Sequence, residues 1–138
     1  MTFHLTTAES AATVRTLGGE LISFTKNGVE YCWTGDPEHW GGRAPILFPV
    51  CCAAKDDKMA HDGVEYPMPK HGIARKREFE PVYISKNKVV LEQRETEESL
   101  NNFPFCYSLK VEHTLTENGF TTRFIVKNLD KNEMTFCI

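Results

Sequence analysis

The sequence predicts an all-β protein in which antiparallel strands form a β-sandwich. Short runs rich in β-branched and aromatic residues follow one another along the whole chain. Turn residues separate these runs about every 8–12 positions, a spacing typical of sandwiches. Asn27-Gly28 lies between two such runs, and Asn-Gly is the strongest short signal for a β-hairpin because both residues tolerate a positive φ.

The individual strands are predicted from alternating apolar and polar positions. Phe3 and Leu5 begin the pattern, and the strand that follows leads through Leu17 into a Gly18-Gly19 turn. Further strands are expected at residues 21–24, 29–33, 64–66, 79–85, 89–95, 107–111, 120–126 and 134–138. Residues 97–102 are expected to form one helical turn that ends before Pro104.

The chain ends in the middle of the apolar run Phe136-Cys137-Ile138. A strand end normally passes into a turn or a polar tail. We therefore expect a truncated sandwich, in which residues 1–138 form the N-terminal half of one domain. Exposed strand edges recruit other strands, so we also expect a homodimer or a larger aggregate formed through such edges.

Composition and charge exclude several functions. A net charge of -3, with 41% hydrophobic and 25% charged residues, gives no electrostatic signature of a nucleic-acid partner. No apolar run approaches the roughly 20 residues that span a membrane, and the N-terminus lacks the features of a signal peptide. The five cysteines have no disulfide-framework spacing, so we expect free thiols and a cytoplasmic protein.

The segment Gly41–Pro49 is the first candidate for chemistry. Paired glycines before Arg43 let the backbone fold closely around a ligand. The Arg43 guanidinium offers a rigid fork of donors that suits sugar hydroxyls or a phosphate. A surface loop with a solvated arginine is the alternative.

The segment Lys70–Arg75 is the second candidate. His71 can donate or accept a proton near neutral pH, and Lys70 and Arg75 make its loop cationic. An exposed basic loop without a function is the alternative. No metal site is predicted, because Cys51, Cys52, His61 and His71 lack the tight pairs typical of zinc sites.

Three segments, taken in order, carry a family resemblance. Tyr31–Trp40 reads Y-C-W-T-G-D-P-E-H-W, Arg43–Pro49 reads R-A-P-I-L-F-P, and His71–Arg75 reads H-G-I-A-R. These segments resemble the corresponding patterns of galactose mutarotase-like proteins in the aldose 1-epimerase family, with the greatest similarity to the LacX-type branch. Weaker matches extend the resemblance over nearly the whole chain, at Gly18–Ser23, Phe103–Phe105 and Val126–Asn128.

The resemblance implies an isomerase that interconverts the α and β anomers of an aldose or aldose phosphate in the cleft of a larger sandwich. In the family, a general acid protonates the ring oxygen of the sugar while a general base takes the proton of the C1 hydroxyl. No cofactor is implied, because only protons move. Carried over by position, Arg43 binds sugar hydroxyls and His71 is the catalytic residue near the ring oxygen. Lys70 and Arg75 bind the substrate where it carries an anionic group.

The sequence departs from the family at the proton-transferring residues. The general acid of the family is a histidine in a G-x-H-P-A-F segment and the base is a later glutamate, and neither has a counterpart here. Cys52-Ala53 also stands where the family often has Gly-Arg. We therefore expect substrate binding without a complete acid–base pair. A noncatalytic carbohydrate-binding module that uses the same cleft is the alternative function.

Overall fold

The computed structural model describes residues 1–138 as two four-stranded antiparallel sheets and a separate two-stranded hairpin. In the first sheet the strands lie in chain order, as β1 (Thr2–Thr6), β2 (Ser10–Arg15), β3 (Glu20–Lys26) and β4 (Val29–Glu30). The second sheet has the order β10 (Gly119–Asn128), β9 (Tyr107–Thr116), β8 (Lys88–Arg94) and β7 (Glu80–Ile84). The hairpin consists of β5 (Lys58–His61) and β6 (Val64–Pro67). The predicted all-β antiparallel architecture is confirmed.

The predicted hairpin at Asn27-Gly28 forms, but its second strand is shorter than expected. Both turn residues have a positive φ, +49° for Asn27 and +77° for Gly28, as the Asn-Gly pair predicts. Strand β4 ends at Glu30 instead of continuing to residue 33. The Glu30 carboxylate accepts the backbone N–H of Phe24 at 2.9 Å and that of Cys32 at 2.8 Å. Because the side chain takes these donors, the regular ladder between the strands stops there.

The only α-helix is the single turn α1 (Glu97–Leu100), at the place where the sequence predicts one. Its first turn is closed by a capping box. The Thr96 hydroxyl accepts the Ser99 N–H at 3.2 Å, and the Ser99 hydroxyl accepts the Thr96 N–H at 2.8 Å. None of the helices has both the length and the apolar character that crossing a bilayer requires.

One hydrophobic core joins the two sheets and the long loops between them. At its centre three fully buried rings, those of Phe48, Phe103 and Tyr107, pack with centroids 5.3 to 5.7 Å apart. Burial of one such side chain stabilises the fold by about 1.5–3 kcal/mol. Phe48 thereby fixes the loop that carries Arg43 against the second sheet.

Two loops, residues 43–52 and 70–77, pair with each other along their main chains, and we call them the paired loops. The Phe48 carbonyl accepts the N–H of Ile73 at 2.8 Å and that of Ala74 at 3.1 Å. Gly72 lies directly against this carbonyl and has a φ of +73°. A Cβ atom at position 72 would overlap the Phe48 carbonyl oxygen. The two loops therefore approach this closely only because residue 72 is glycine.

A buried histidine connects the two sheets. His113, on β9, is 2% exposed, and its Nε2 lies 2.8 Å from the carbonyl oxygen of Gly19, the residue directly before β3. A carbonyl only accepts, so Nε2 carries the proton, and Nδ1 accepts from the Thr122 hydroxyl at 3.1 Å. Burial lowers the pKa of His113, although the hydrogen bond to Gly19 opposes this.

The strand expected at residues 134–138 does not form, so this prediction is wrong. The segment packs Met134 and Phe136 against the core, with the Phe136 ring 5.6 Å from that of Phe48. Its backbone contact with the rest of the chain is the hydrogen bond from Cys137 N–H to the Pro49 carbonyl, at 2.8 Å. One such bond does not make a ladder, which needs a neighbouring strand.

Replacement of Gly72 should destabilise the fold more than replacement of a glycine that has a similar φ but lies in open space. Gly72→Ala adds a left-handed φ penalty and a clash with the Phe48 carbonyl, and should lower the free energy of unfolding by about 3–5 kcal/mol. Gly63→Ala is the matched control, because Gly63 has a φ of +77° with open space around its Cβ position. It should cost only about 1–2 kcal/mol. Urea denaturation measures the free energy of unfolding of both variants. Equal losses would contradict the close contact between residue 72 and the Phe48 carbonyl.

His113 should make stability depend on pH. Its pKa is lowered in the folded chain from the ordinary value of 6.5, so below that value the unfolded state binds more protons. The contribution of neutral His113 to the free energy of unfolding is therefore complete above pH 6.5. It is lost as the pH falls through the pKa that His113 has in the folded chain.

Urea denaturation at several pH values between about 7.5 and 5 tests this expectation. His113→Gln removes the titrating group and should give a shallower decrease in the free energy of unfolding. The exposed strand residue His4 provides the control variant, His4→Gln. A wild-type pH dependence in His113→Gln would contradict the expectation.

Candidate functional site

His71 is held by the main chain of Cys52 on the opposite paired loop. The His71 N–H donates to the Cys52 carbonyl at 2.8 Å, and the Cys52 N–H donates to His71 Nδ1 at 3.0 Å. Because Nδ1 accepts a hydrogen bond, the proton of the neutral ring lies on Nε2. The half-buried imidazole thus has a fixed tautomer and one N–H donor left for a ligand.

Arg43 is positioned by the carboxylate of Glu20, which is 3% exposed. Glu20 Oε1 accepts the N–H of Ala44 at 2.8 Å and that of Arg43 at 3.2 Å, while Oε2 pairs with the Arg15 guanidinium. The Arg43 side chain lies back over β3, where Nη1 donates to the Ile22 carbonyl at 2.7 Å. One end of the guanidinium is therefore committed to the backbone, and its other N–H groups remain for a ligand.

A cavity of about 290 Å³ lies between β2, the loop before Arg43 and the end of the second paired loop. It is lined by Arg15, Glu20, Trp40, Gly42, Pro45, Arg75 and Lys76. We call it the cationic cavity, because three of these side chains are positively charged and one is negative. Arg75 Nη2 also donates to the Lys70 carbonyl at 3.1 Å, which closes the loop around His71.

The four residues selected from the sequence do not line one common cavity. Arg75 lines the cationic cavity. Arg43 does not line it but is the next residue after Gly42, which does. Lys70 is exposed, and neither Lys70 nor His71 lines any cavity of the structure. The largest cavity, of about 370 Å³, is separate and mostly apolar.

A buried polar network supports the loop that carries His71. Arg77 Nη1 donates to the Tyr107 hydroxyl at 2.9 Å, and this hydroxyl donates to Gln93 Oε1 at 3.2 Å. Gln93 Nε2 donates in turn to the Ala74 carbonyl at 3.3 Å. Burial raises the pKa of Tyr107 against the opposing effect of Arg77, so the hydroxyl stays protonated and keeps its donor role.

Sequence reasoning missed Glu20, Lys76 and Gln93. Glu20 is a single acidic residue directly after Gly18-Gly19 at the start of an apolar strand, and Gln93 interrupts the apolar face of β8. Both Glu20 and Gln93 are polar residues at strand positions where the alternating pattern predicts a buried apolar side chain, and this mismatch is the signal that could have identified them. Lys76 had a weaker signal, its place in the basic run from Arg75 to Arg77.

The chemistry available at the paired loops is hydrogen bonding and positive charge. Imidazole and guanidinium N–H groups suit uncharged hydroxyls and anions. No group of three or more His, Cys, Asp or Glu side chains is arranged to hold a metal ion. All five cysteines are free.

The chain is similar to known proteins in sequence and in fold. The family model described as Aldose 1-epimerase matches residues 1–138. The plasmid-encoded protein LacX of Lactococcus lactis subsp. lactis is 36% identical over 136 residues, which cover 94% of this chain and 46% of LacX. The chromosomal LacX of the same organism is 35% identical with the same coverage. The chain thus spans about half the length of the curated relatives it matches.

Solved structures give the same result. A galactose mutarotase-like protein from Lactobacillus casei superposes with a TM-score of 0.95 at 33% identity, covering 99% of this chain and 47% of that one. A galactose mutarotase related enzyme from Lactobacillus acidophilus gives a TM-score of 0.95 at 28% identity, covering 99% of this chain and 46% of that one. The resemblance found in the sequence is confirmed, and the chain belongs to the aldose 1-epimerase family.

Proposed function

We propose that this chain forms the sugar-binding part of an aldose 1-epimerase-type isomerase that interconverts the anomers of an aldose or aldose phosphate. Membership of the aldose 1-epimerase family gives the general function. The observation that carries the proposal is the state of His71, whose tautomer is fixed by the Cys52 amide and whose Nε2–H is left for a ligand.

His71 acts as a hydrogen-bond donor towards the ring oxygen of the bound sugar. A sugar ring opens when its oxygen gains a proton while the C1 hydroxyl loses one. A donor held in one tautomer stabilises the charge that develops on the ring oxygen, and it orients the substrate. Arg43 binds sugar hydroxyls through the N–H groups that are not committed to the backbone. Lys70 and Arg75 contribute positive charge at the edge of the same loop.

The surroundings of His71 do not form a complete acid–base pair. The hydrogen bonds of His71 go to the main chain of Cys52, and no carboxylate forms an ion pair or a hydrogen bond with its ring. Anomer exchange needs both a proton donor and a proton acceptor. We therefore assign substrate binding and positioning to this chain, which lacks the general acid histidine and the general base glutamate that the family resemblance implies.

A noncatalytic carbohydrate-binding module is the second candidate function, and it is favoured by the same observation about His71. A lectin-like module needs donors and acceptors for hydroxyls but no proton-transferring pair. The rate of anomer exchange distinguishes the two functions when it is measured on a chain that also contains the acid and the base. An isomerase accelerates the exchange, and a binding module does not. We also propose a cytoplasmic location, which the five free thiols support.

Residues 1–138 alone should bind sugar without accelerating mutarotation. Polarimetry with freshly dissolved α-glucose or α-galactose should give the rate measured in buffer, while a full-length aldose 1-epimerase confirms that the assay works. Hexose binding, followed by tryptophan fluorescence, should weaken about three- to ten-fold in His71→Ala, because one hydrogen bond is lost. His4→Ala serves as the control. A rate clearly above buffer that His71→Ala abolishes would contradict the division of roles.

We further propose that the chain self-associates through its strand edges. Strand β7 is an edge strand with three consecutive exposed apolar residues, Val82, Tyr83 and Ile84, and the other edge of the sheet is the ten-residue strand β10. Unpaired N–H and C=O groups along such edges favour pairing with a second copy.

Static light scattering tests this association. The mass should be at least twice that of one chain at high concentration and should decrease in Phe124→Lys, which places a charge on β10. Ala11→Lys is the control, since it adds the same charge at an exposed position of β2, a strand that already has a neighbour on each side. A stable monomer at high concentration would refute the association.

A further inference from the structure

We infer that Cys51 and Cys52 form a dithiol site that binds a trivalent organoarsenical, with the organic group in the adjoining apolar cavity. The site consists of two adjacent exposed thiols, a backbone that holds one of them in place, and a cavity beside the other. The proposed function uses the peptide groups of Cys52 and neither thiol, so the two assignments are independent.

The two thiols are adjacent, accessible and carried by a fixed backbone. Cys51 and Cys52 are both free and exposed. They lie outside the strands, and Cys52 has a φ of +63°, so the alternation that sends consecutive side chains to opposite faces of a strand does not apply to them. The N–H and the carbonyl of Cys52 are both hydrogen-bonded to His71, at 3.0 and 2.8 Å, and this holds the backbone in place.

The spacing of the pair favours an atom that bridges the two sulfurs over a direct disulfide. Consecutive Cα atoms across a trans peptide lie about 3.8 Å apart, whereas those of a disulfide usually lie about 4.4–6.8 Å apart. A bridging atom lengthens the connection and removes this restriction. Zn²⁺ does not fit, because it takes four ligands and no third His, Cys, Asp or Glu is arranged to complete a metal site.

Trivalent arsenic that carries one organic group needs only two further ligands, and it is a soft acceptor that suits thiolate sulfur. An arsenoxide reacts with both thiols in one balanced exchange. Each sulfur forms a bond to arsenic, the arsenic–oxygen bonds break, and the oxygen leaves as water with the two thiol protons. Arsenic stays trivalent and both sulfurs stay reduced, so the reaction needs no oxidant.

The apolar cavity beside Cys51 has room for the organic group. Cys51 lines this cavity of about 370 Å³, together with apolar side chains that include Leu21, Leu47, Phe124 and Ile138. An apolar cavity of about 150 Å³ is large enough to bind benzene. A phenyl group attached to the arsenic can therefore be removed from water there, which a bare thiophilic ion cannot exploit.

The other three cysteines are less suited to this reaction. Cys32 and Cys106 are half-buried. Burial raises the pKa of both thiols, and the carboxylates of Glu30 and Glu95 respectively act in the same direction. The thiolate is the reactive form, so these two should react slowly. Cys137 is exposed but has no cysteine next to it in the chain, so we expect it to form only one bond to arsenic.

Binding of phenylarsine oxide to the reduced chain tests the inference. The titration is made in an excess of glutathione, because a monothiol displaces an arsenical that is held by one protein thiol. We expect one adduct per chain, with a mass gain equal to phenylarsine oxide less one water. Peptide mapping should place it at residues 51–52, and ethanedithiol should remove it.

Cys51→Ser and Cys52→Ser each leave one thiol of the pair. Each should weaken retention of the arsenical about a hundred-fold or more, because the second bond is no longer formed within one molecule. Serine at position 52 keeps the peptide groups that hold His71, so the fold should be unchanged in urea denaturation. Cys137→Ser removes an exposed single thiol and is the matched control. Unchanged retention in Cys52→Ser, or loss of retention in Cys137→Ser, would overturn the dithiol assignment.

Phe124→Ala tests the part played by the cavity. It should weaken binding of phenylarsine oxide about three- to ten-fold and leave binding of methylarsine oxide unchanged, because only the phenyl group is large enough to contact that wall. Tyr83→Ala, which removes an exposed aromatic ring from β7, is the control. An equal effect of Phe124→Ala on both arsenicals would overturn the role of the cavity.

Hexose binding separates this inference from the proposed function. Retention of the arsenical at residues 51–52 without hexose binding would support the dithiol site while the proposed function fails. Hexose binding without retention of the arsenical would overturn the dithiol site alone.

Discussion

The main-chain contact between the Phe48 carbonyl and the segment from Gly72 to Ala74 is the constraint on which the site depends. The N–H groups of Ile73 and Ala74 both donate to this carbonyl, and a side chain at position 72 would overlap the carbonyl oxygen. The Phe48 ring is buried among other aromatic rings, so the carbonyl itself is held by the core. Hydrophobic packing thus sets the position of the loop that carries His71.

Buried charge is arranged around the paired loops so that each polar group has a defined role. The single buried carboxylate of Glu20 forms an ion pair with Arg15 and also accepts the backbone N–H groups of Arg43 and Ala44. A carboxylate is tolerated at this depth because it is paired and fully hydrogen-bonded. The network of Arg77, Tyr107 and Gln93 supports the other loop in the same way. Both loops therefore keep their shape through hydrogen bonds that begin at the strands of the two sheets.

Sequence patterns predicted the features that depend on neighbours along the chain. The Asn27-Gly28 turn and the helical turn after Thr96 are local, and both form. The end of β4 at Glu30 was missed because a side chain replaces a backbone partner there. Residues 134–138 were read as a strand from their apolar pattern, but a strand also needs a neighbour that a pattern does not supply.

The site was predicted less completely than the fold, because its contacts join residues far apart in the chain. Motif resemblance named Arg43, Lys70, His71 and Arg75 and led to the family that the comparisons confirm. It gave no sign that Glu20 positions Arg43, since this contact joins residues 23 positions apart. Periodicity reports which face of a strand is buried, and it carries no information on which distant carboxylate meets a given loop.

The hold of Cys52 on His71 has a consequence for the kind of side chain that position 52 can carry. Both hydrogen bonds use the peptide groups of residue 52, and the thiol takes no part in them. Residue 52 has a φ of +63°, a conformation that glycine adopts without strain. The orientation of the neighbouring imidazole is therefore set by the shape of the backbone, and the chemistry of the side chain at position 52 is left free of that task.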